Sequence, residues 1–196
     1  MAVAGGGPAL RFSETLLSDY ALACDAIMRV LRGIPRHRMT NFTPCPAWNV
    51  RELIHHVIDV NELYGDTVAG RTHQDQQWVD DAFLTAAFAH SVERTALAFI
   101  SDHVVEPCFF TPFGALSIAA TVQHCTNDML VHAWDLARAT GQPTDLAPDV
   151  ADECLRVLHL LKYLVPRDTG VYGPERPAPA DACPTDRLAA FLGRHV

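Results

Sequence analysis

The chain has 196 residues, 49% apolar and 19% charged, which is enough for one compact domain with a real core, tight for two, and too apolar for extended disorder. A formal charge of −8 with no run of Lys or Arg excludes the electrostatic footprint expected of a nucleic-acid or anionic-membrane partner. No segment reaches the roughly 18 consecutive apolar residues of a membrane span, and MAVAGGGPAL lacks the basic start and apolar run of a secretory signal, so the expected setting is cytoplasmic.

Residues 1–10 read as a flexible Gly-rich lead, and residues 11–196 as a single helical domain. FSETLLSDYALACDAIMRVLRGI places Phe12, Leu16, Tyr20, Ala23, Ile27 and Leu31 at helical spacing, with Ser13 as the N-cap. In the next segment Pro44 and Pro46 forbid a helix until about Trp48. Beyond them Val50, Leu53, Ile54, Val57, Asn61 and Tyr64 form the stripe of a second helix. A third spans DAFLTAAFAHSVERTALAFISD, where Phe83, Ala87, His90, Arg94 and Leu97 trace one face.

VVEPCFFTPFGALS, with β-branched and aromatic residues, two prolines and Gly114, reads as an extended or hairpin connection near 104–116. A fourth helix runs from about Ser117 to Ala139 and stops at Gly141 and Pro143. A fifth covers Asp149 to Leu164, with Val150, Cys154, Val157, Leu158 and Leu161 inward. GVYGPERPAPADACP is too rich in Pro and Gly for regular structure and reads as a strap over the bundle, before DRLAAFLGRHV closes in a short helical segment.

Six cysteines are scattered without a C-x-x-C pair, so they read as free thiols rather than a zinc ribbon or a redox motif. Cys45, between two prolines, has no base beside it in sequence and reads as a small buried hydrophobe. Trp48 and Trp134 read as core anchors, and Asp135 and Arg138 as ion-pair or helix-capping residues.

The chemistry concentrates in HCTNDMLVHAWDLARAT, residues 124–140. Ile118, Val122, Cys125, Met129, His132 and Leu136 share one side of the fourth helix, which puts His132 in the buried stripe. Asp128 lies one turn earlier and about 40° around the axis, so both side chains can converge on one point. From this pair alone a core histidine bonded to a neighbouring acid is the preferred reading, because a metal needs a third ligand. The second helix offers His55 and His56, about 100° apart. His56 flanks the apolar stripe and is the better ligand; His55 falls near the polar face. His124, one turn before Asp128, is a weaker candidate, as a proton shuttle.

TPCPAWNVRELIHHVI resembles the start of the second helix, and DMLVHAWDLARATGQPTDL the fourth-helix signature, of the mycothiol-dependent maleylpyruvate isomerase N-terminal family within the DinB-like superfamily. The likeness runs from about Phe12 to the closing GRHV. It implies an all-α fold, a DinB-like four-helix bundle with an additional short helix and the Pro-rich strap. It also implies a divalent metal held by a histidine of the second helix and an acid-x-x-x-His pair of the fourth, here His56, Asp128 and His132. The family isomerase generally has Glu where this chain has Asp128.

Two imidazoles and a carboxylate suit zinc first, with nickel, iron and manganese also compatible. The resemblance implies mycothiol as cosubstrate. The expected activity is metal-dependent activation of a low-molecular-weight thiol for S-transfer to, or cis–trans isomerisation of, a small electrophilic substrate. A thiol-independent metal-dependent isomerase, lyase or hydrolase is the second expectation, and a non-catalytic metal-binding bundle the third. The expected assembly is a monomer or homodimer.

Overall fold

The structure is a computed structural model that describes residues 8–75, 77–101, 109–111, 114–162, 167 and 172–196. Side chains are described from Glu14 onward in the first helix and, within the hairpin, at Leu116.

Helix α1 (Pro8–Arg32) starts at Pro8, so Ser13 lies inside it and is not its N-cap. A proline suits a first helical turn because its missing N–H has no intrahelical partner there. The Phe12 position lies outside the described side chains, and the rest of the stripe buries Tyr20, Ala23, Ile27 and Leu31. Helix α2 (Val50–Val68) begins where the prolines release the chain. Asn49 accepts from the Glu52 backbone N–H at 3.0 Å while the Glu52 carboxylate accepts from the Asn49 N–H at 2.9 Å, a reciprocal cap that fixes the first turn. All six residues of its predicted stripe, Val50 to Tyr64, are buried.

Helix α3 (Leu84–Phe99) corrects the predicted face by one residue. Phe83 and Leu97 are 62% and 59% exposed, and the buried seam is Leu84, Phe88, Ser91, Thr95 and Ala98. Polar bonding and close approach to α2 set that phase. Thr95 Oγ1 donates to the Asn61 carbonyl at 2.8 Å and Asn61 Nδ2 donates to Ser91 Oγ at 3.1 Å. Gly65 lets the Thr95 backbone come so near that an added Cβ would lie 2.9 Å from its Cα. A reading that counts only apolar side chains misses a seam made of Ser and Thr.

A two-stranded antiparallel hairpin, β1 (Phe109–Thr111) and β2 (Gly114–Leu116), lies in the predicted 104–116 stretch and pairs Phe109 with Leu116. Helix α4 (Ile118–Thr140) follows, capped by Ser117 at one end and by Gly141 in the left-handed region, φ 69°, at the other. It packs against α1 and α2 and is buried around much of its circumference. Asn61 ties the bundle together: its Oδ1 accepts from the Tyr20 hydroxyl at 2.9 Å and from the Cys125 thiol at 3.6 Å, linking α1, α2 and α4.

Helices α5 (Pro148–Leu160) and α6 (Pro184–Phe191) pack against each other and on α4. Helix α5 ends before the predicted Leu164, which lies outside the described residues; Val150, Cys154 and Leu158 are buried, but Leu161 is 46% exposed. The Pro-rich strap of residues 173–182 is irregular and is tied to α6 by the Arg176 N–H donating to the Ala190 carbonyl at 2.9 Å. The cysteines at 24, 45, 125, 154 and 183 are free thiols, while Cys108 lies outside the described residues. Among the described residues no helix is long and apolar enough to cross a membrane.

Candidate metal centre

The loop preceding α2 forms one wall. Thr43 Oγ1 donates to the Cys45 and Trp48 carbonyls at 2.8 and 2.7 Å, and Asn41 Nδ2 donates to the Ala139 carbonyl at 2.9 Å, pinning this turn to the end of α4. The turn lays the Trp48 ring flat on His56, with centroids 3.9 Å apart and planes at 18°.

Helix α4 supplies the facing side. His132 is buried, its ring perpendicular to that of His56 with centroids 5.2 Å apart. Its Nε2 is 3.7 Å from Asp128 Oδ1, a little wider than the ~3.3 Å edge of a tetrahedral site with bonds of about 2.0–2.1 Å. The other Asp128 oxygen accepts from the Tyr64 hydroxyl at 3.2 Å. Helix phase thus sets His56 and Asp128 each against His132. His55 turns away and packs on Trp78, centroids 4.0 Å apart.

Electrostatics leaves a ring lone pair available on His56. Burial, reinforced by the neighbouring His132, pushes the His56 pKa down to about 4, so its ring is neutral at pH 7. The Nδ1 of His132 lies 3.0 Å from Asp135 Oδ2, and Arg194 donates to the same carboxylate through Nη2 at 2.9 Å and Nε at 3.3 Å. Burial alone would raise the Asp135 pKa, but the His132 hydrogen bond and the Arg194 charge hold it below the usual carboxylate range. A carboxylate on Nδ1 leaves Nε2 as the lone-pair nitrogen and fixes the ring orientation, as it does behind metal-bound histidines.

The donor set therefore fits a divalent metal in type: two imidazoles and a carboxylate. The ligand atoms of His56, Asp128 and His132 do not all lie within 4.8 Å of one another. The groups whose ligand atoms all lie within 4.8 Å of one another, among the described residues, are instead Cys45–His132–Asp135 and Asp59–His73–Asp75. In the first, Asp135 is engaged by Arg194, and burial together with the Asp135 charge raises the Cys45 pKa, which keeps its thiol protonated. That agrees with Cys45 not being an activated nucleophile, even though the fold supplies the histidine that its sequence neighbours lack.

Other residues missed or undervalued in sequence surround the centre. Arg194 and Tyr64 carry no local motif, and Asp135 was legible only as an ion-pair residue. Burial and the Asp128 charge raise the Tyr64 pKa, so it remains a phenol. His124 sits with Nδ1 3.3 Å from the Tyr172 hydroxyl. Cys125 is directed to Asn61 rather than to the centre. Trp134 is fully buried, as expected of a core anchor, and donates to Asp186 Oδ1 at 2.6 Å. His56 and Trp48 also line a cavity of about 430 Å³, together with Glu52, Asp59, Asp75 and Trp78.

The described residues thus form a helical bundle in which α2 and α4 face each other across His56 and His132. Residues 20–137 match the family described as the Mycothiol maleylpyruvate isomerase N-terminal domain, and the chain belongs to that family. Two uncharacterized proteins from two strains of Mycobacterium tuberculosis, Rv0738 and MT0763, are each 34% identical over 184 residues, covering 92% of this chain and 98% of theirs. No solved structure matches.

Proposed function

We propose that the protein is a divalent-metal-dependent enzyme that uses a low-molecular-weight thiol, mycothiol, on a small electrophilic substrate, with His56, Asp128 and His132 as the metal ligands and zinc as the first choice of ion. The observation that carries this reading is the His132 ring, turned by Asp135 so that Nε2 faces Asp128 beside the neutral ring of His56. Membership of a mycothiol-related family supports the thiol.

A divalent ion held by His56, Asp128 and His132 would supply Lewis acidity that favours the thiolate form of a thiol near neutral pH. The chain's own residues do the rest. His132 and Asp128 present fixed donor atoms, and Trp48 holds His56 in plane against the site. Tyr64 keeps its hydrogen on Asp128, which limits that carboxylate to one free orientation. His124, paired with Tyr172, is placed to accept a proton one turn from Asp128. A thiolate that adds to an alkene conjugated with a carbonyl permits rotation about the former double bond and then leaves, giving isomerisation. One that displaces a leaving group stays, giving S-transfer.

The test is optical. Cobalt-substituted protein mixed with mycothiol should gain sulfur-to-metal charge-transfer absorption, and His132→Ala should abolish the gain. An unchanged cobalt spectrum, with the native reaction proceeding in thiol-free buffer, would replace this reading with a thiol-independent metalloenzyme.

A further inference from the structure

We propose that Asp59, His73 and Asp75 form a second divalent-cation site, separate from the His56–Asp128–His132 centre, at the opening of the cavity that His56 lines. One ligand atom from each of the three residues lies within 4.8 Å of the other two.

The argument starts from His73. Its Nε2 is 3.2 Å from Asp59 Oδ1 and its Nδ1 is 3.2 Å from Asp66 Oδ2. A neutral imidazole has one N–H, so one of these contacts would set a nitrogen lone pair against a carboxylate oxygen. A hydrogen or a metal ion must stand between that nitrogen and the oxygen.

The surroundings assign the two nitrogens. Asp66 is buried and held by Arg71 at 2.8 Å and Arg94 at 3.2 Å, which fixes it as the acceptor for Nδ1–H. The Arg71 backbone N–H donates to the Asp66 carbonyl at 2.8 Å, after a left-handed turn at Gly70, φ 65°, and this places the loop carrying His73 and Asp75. Nε2 is then the bare nitrogen and faces Asp59, the tautomer and orientation that a carboxylate imposes on a metal-binding histidine.

Distance and ligand number favour the ion over the proton. The 3.2 Å from Nε2 to Asp59 is close to the ~3.3 Å edge of a tetrahedral site with metal bonds of about 2.0–2.1 Å. One proton satisfies a single nitrogen-to-oxygen contact, whereas here a second carboxylate, Asp75, also has an oxygen within 4.8 Å of the His73 and Asp59 ligand atoms. One imidazole and two carboxylates suit zinc or manganese rather than an all-oxygen calcium site. Asp59 and Asp75 line the 430 Å³ cavity, so the open coordination positions would face it.

The test removes the first centre and counts what is left. Full-length protein stripped with chelator should bind two zinc ions per chain by equilibrium dialysis with elemental analysis. His132→Ala should retain one. In that background His73→Ala should lower the remaining zinc affinity at least tenfold, and Asp75→Asn, a change in a surface loop that leaves the core alone, should weaken it in the same direction. The proposal is overturned if His132→Ala protein with native far-UV circular dichroism binds no zinc, or if its remaining zinc is indifferent to both second changes. Failure of the proposed function would look different: His132→Ala would leave the metal content unchanged from the start.

Discussion

Asp135 stands 3.0 Å from His132 Nδ1 and simultaneously takes two donors from Arg194, so the buried charge that neutralises Arg194 also fixes the direction of His132 Nε2. Asp135→Asn should weaken metal binding by about 10- to 100-fold, the usual effect of losing a carboxylate behind a ligating histidine. It should also cost about 3–5 kcal/mol of stability, because Arg194 is left buried without its counter-charge. Asp135→Asn combined with Arg194→Met should recover much of that stability and none of the affinity. Chemical denaturation and competitive zinc titration separate the two effects; recovery of affinity in the double variant would show that Asp135 acts only as a structural charge.

His56 and His55 make a pair of controls one residue apart. His56→Ala and His132→Ala should each lose the metal bound at the first centre while keeping native helicity. His55→Ala should keep it, since its ring packs on Trp78 away from His132. Metal loss in His55→Ala alone would mean that α2 presents the other histidine.

At Gly65 α2 and α3 approach closely. A methyl group there would meet Thr95 Oγ1 at 2.7 Å and Thr95 Cα at 2.9 Å, and backbone cannot rotate aside. Gly65→Ala should destabilise by about 1–3 kcal/mol despite alanine's better helix propensity. A gain in thermal midpoint would indicate that the helices separate at little cost.

Acid should reveal the Trp134–Asp186 contact. Partial burial pushes the Asp186 pKa up, but the indole N–H at 2.6 Å, further hydrogen bonds from Thr144 and Cys183 and the Arg138 charge bring it below the ordinary 3.8. A depressed carboxylate pKa stabilises the folded state above the unfolded value, and the contribution disappears as pH falls through the folded pKa. Asp186→Asn should therefore be less stable than the unmodified protein at pH 7, with the difference shrinking below pH 3.8. A difference that stays constant with pH would assign the effect to packing alone.

What was legible in the sequence follows from helix geometry. The stripes of α1, α2 and α4 repeat over several turns, and the same phase places His56 beside the α2 stripe and Asp128 one turn from His132. Capping and stop signals such as Asn49 with Glu52, and Gly141, act within a few residues and so can be read locally.

Tertiary structure alone decided the rest, because those relationships join residues far apart in the chain. Arg194 meets Asp135 across 59 positions, and Tyr64 meets Asp128 across 64. No periodicity encodes either contact. The face of α3 was likewise hidden: close approach at Gly65 and hydrogen bonds to Ser91 and Thr95 outweighed the exposure of Phe83 and Leu97. Local pattern determined which side chains could be ligands, while the packing of α2, α4 and the C-terminal segment decided how their nitrogen atoms point.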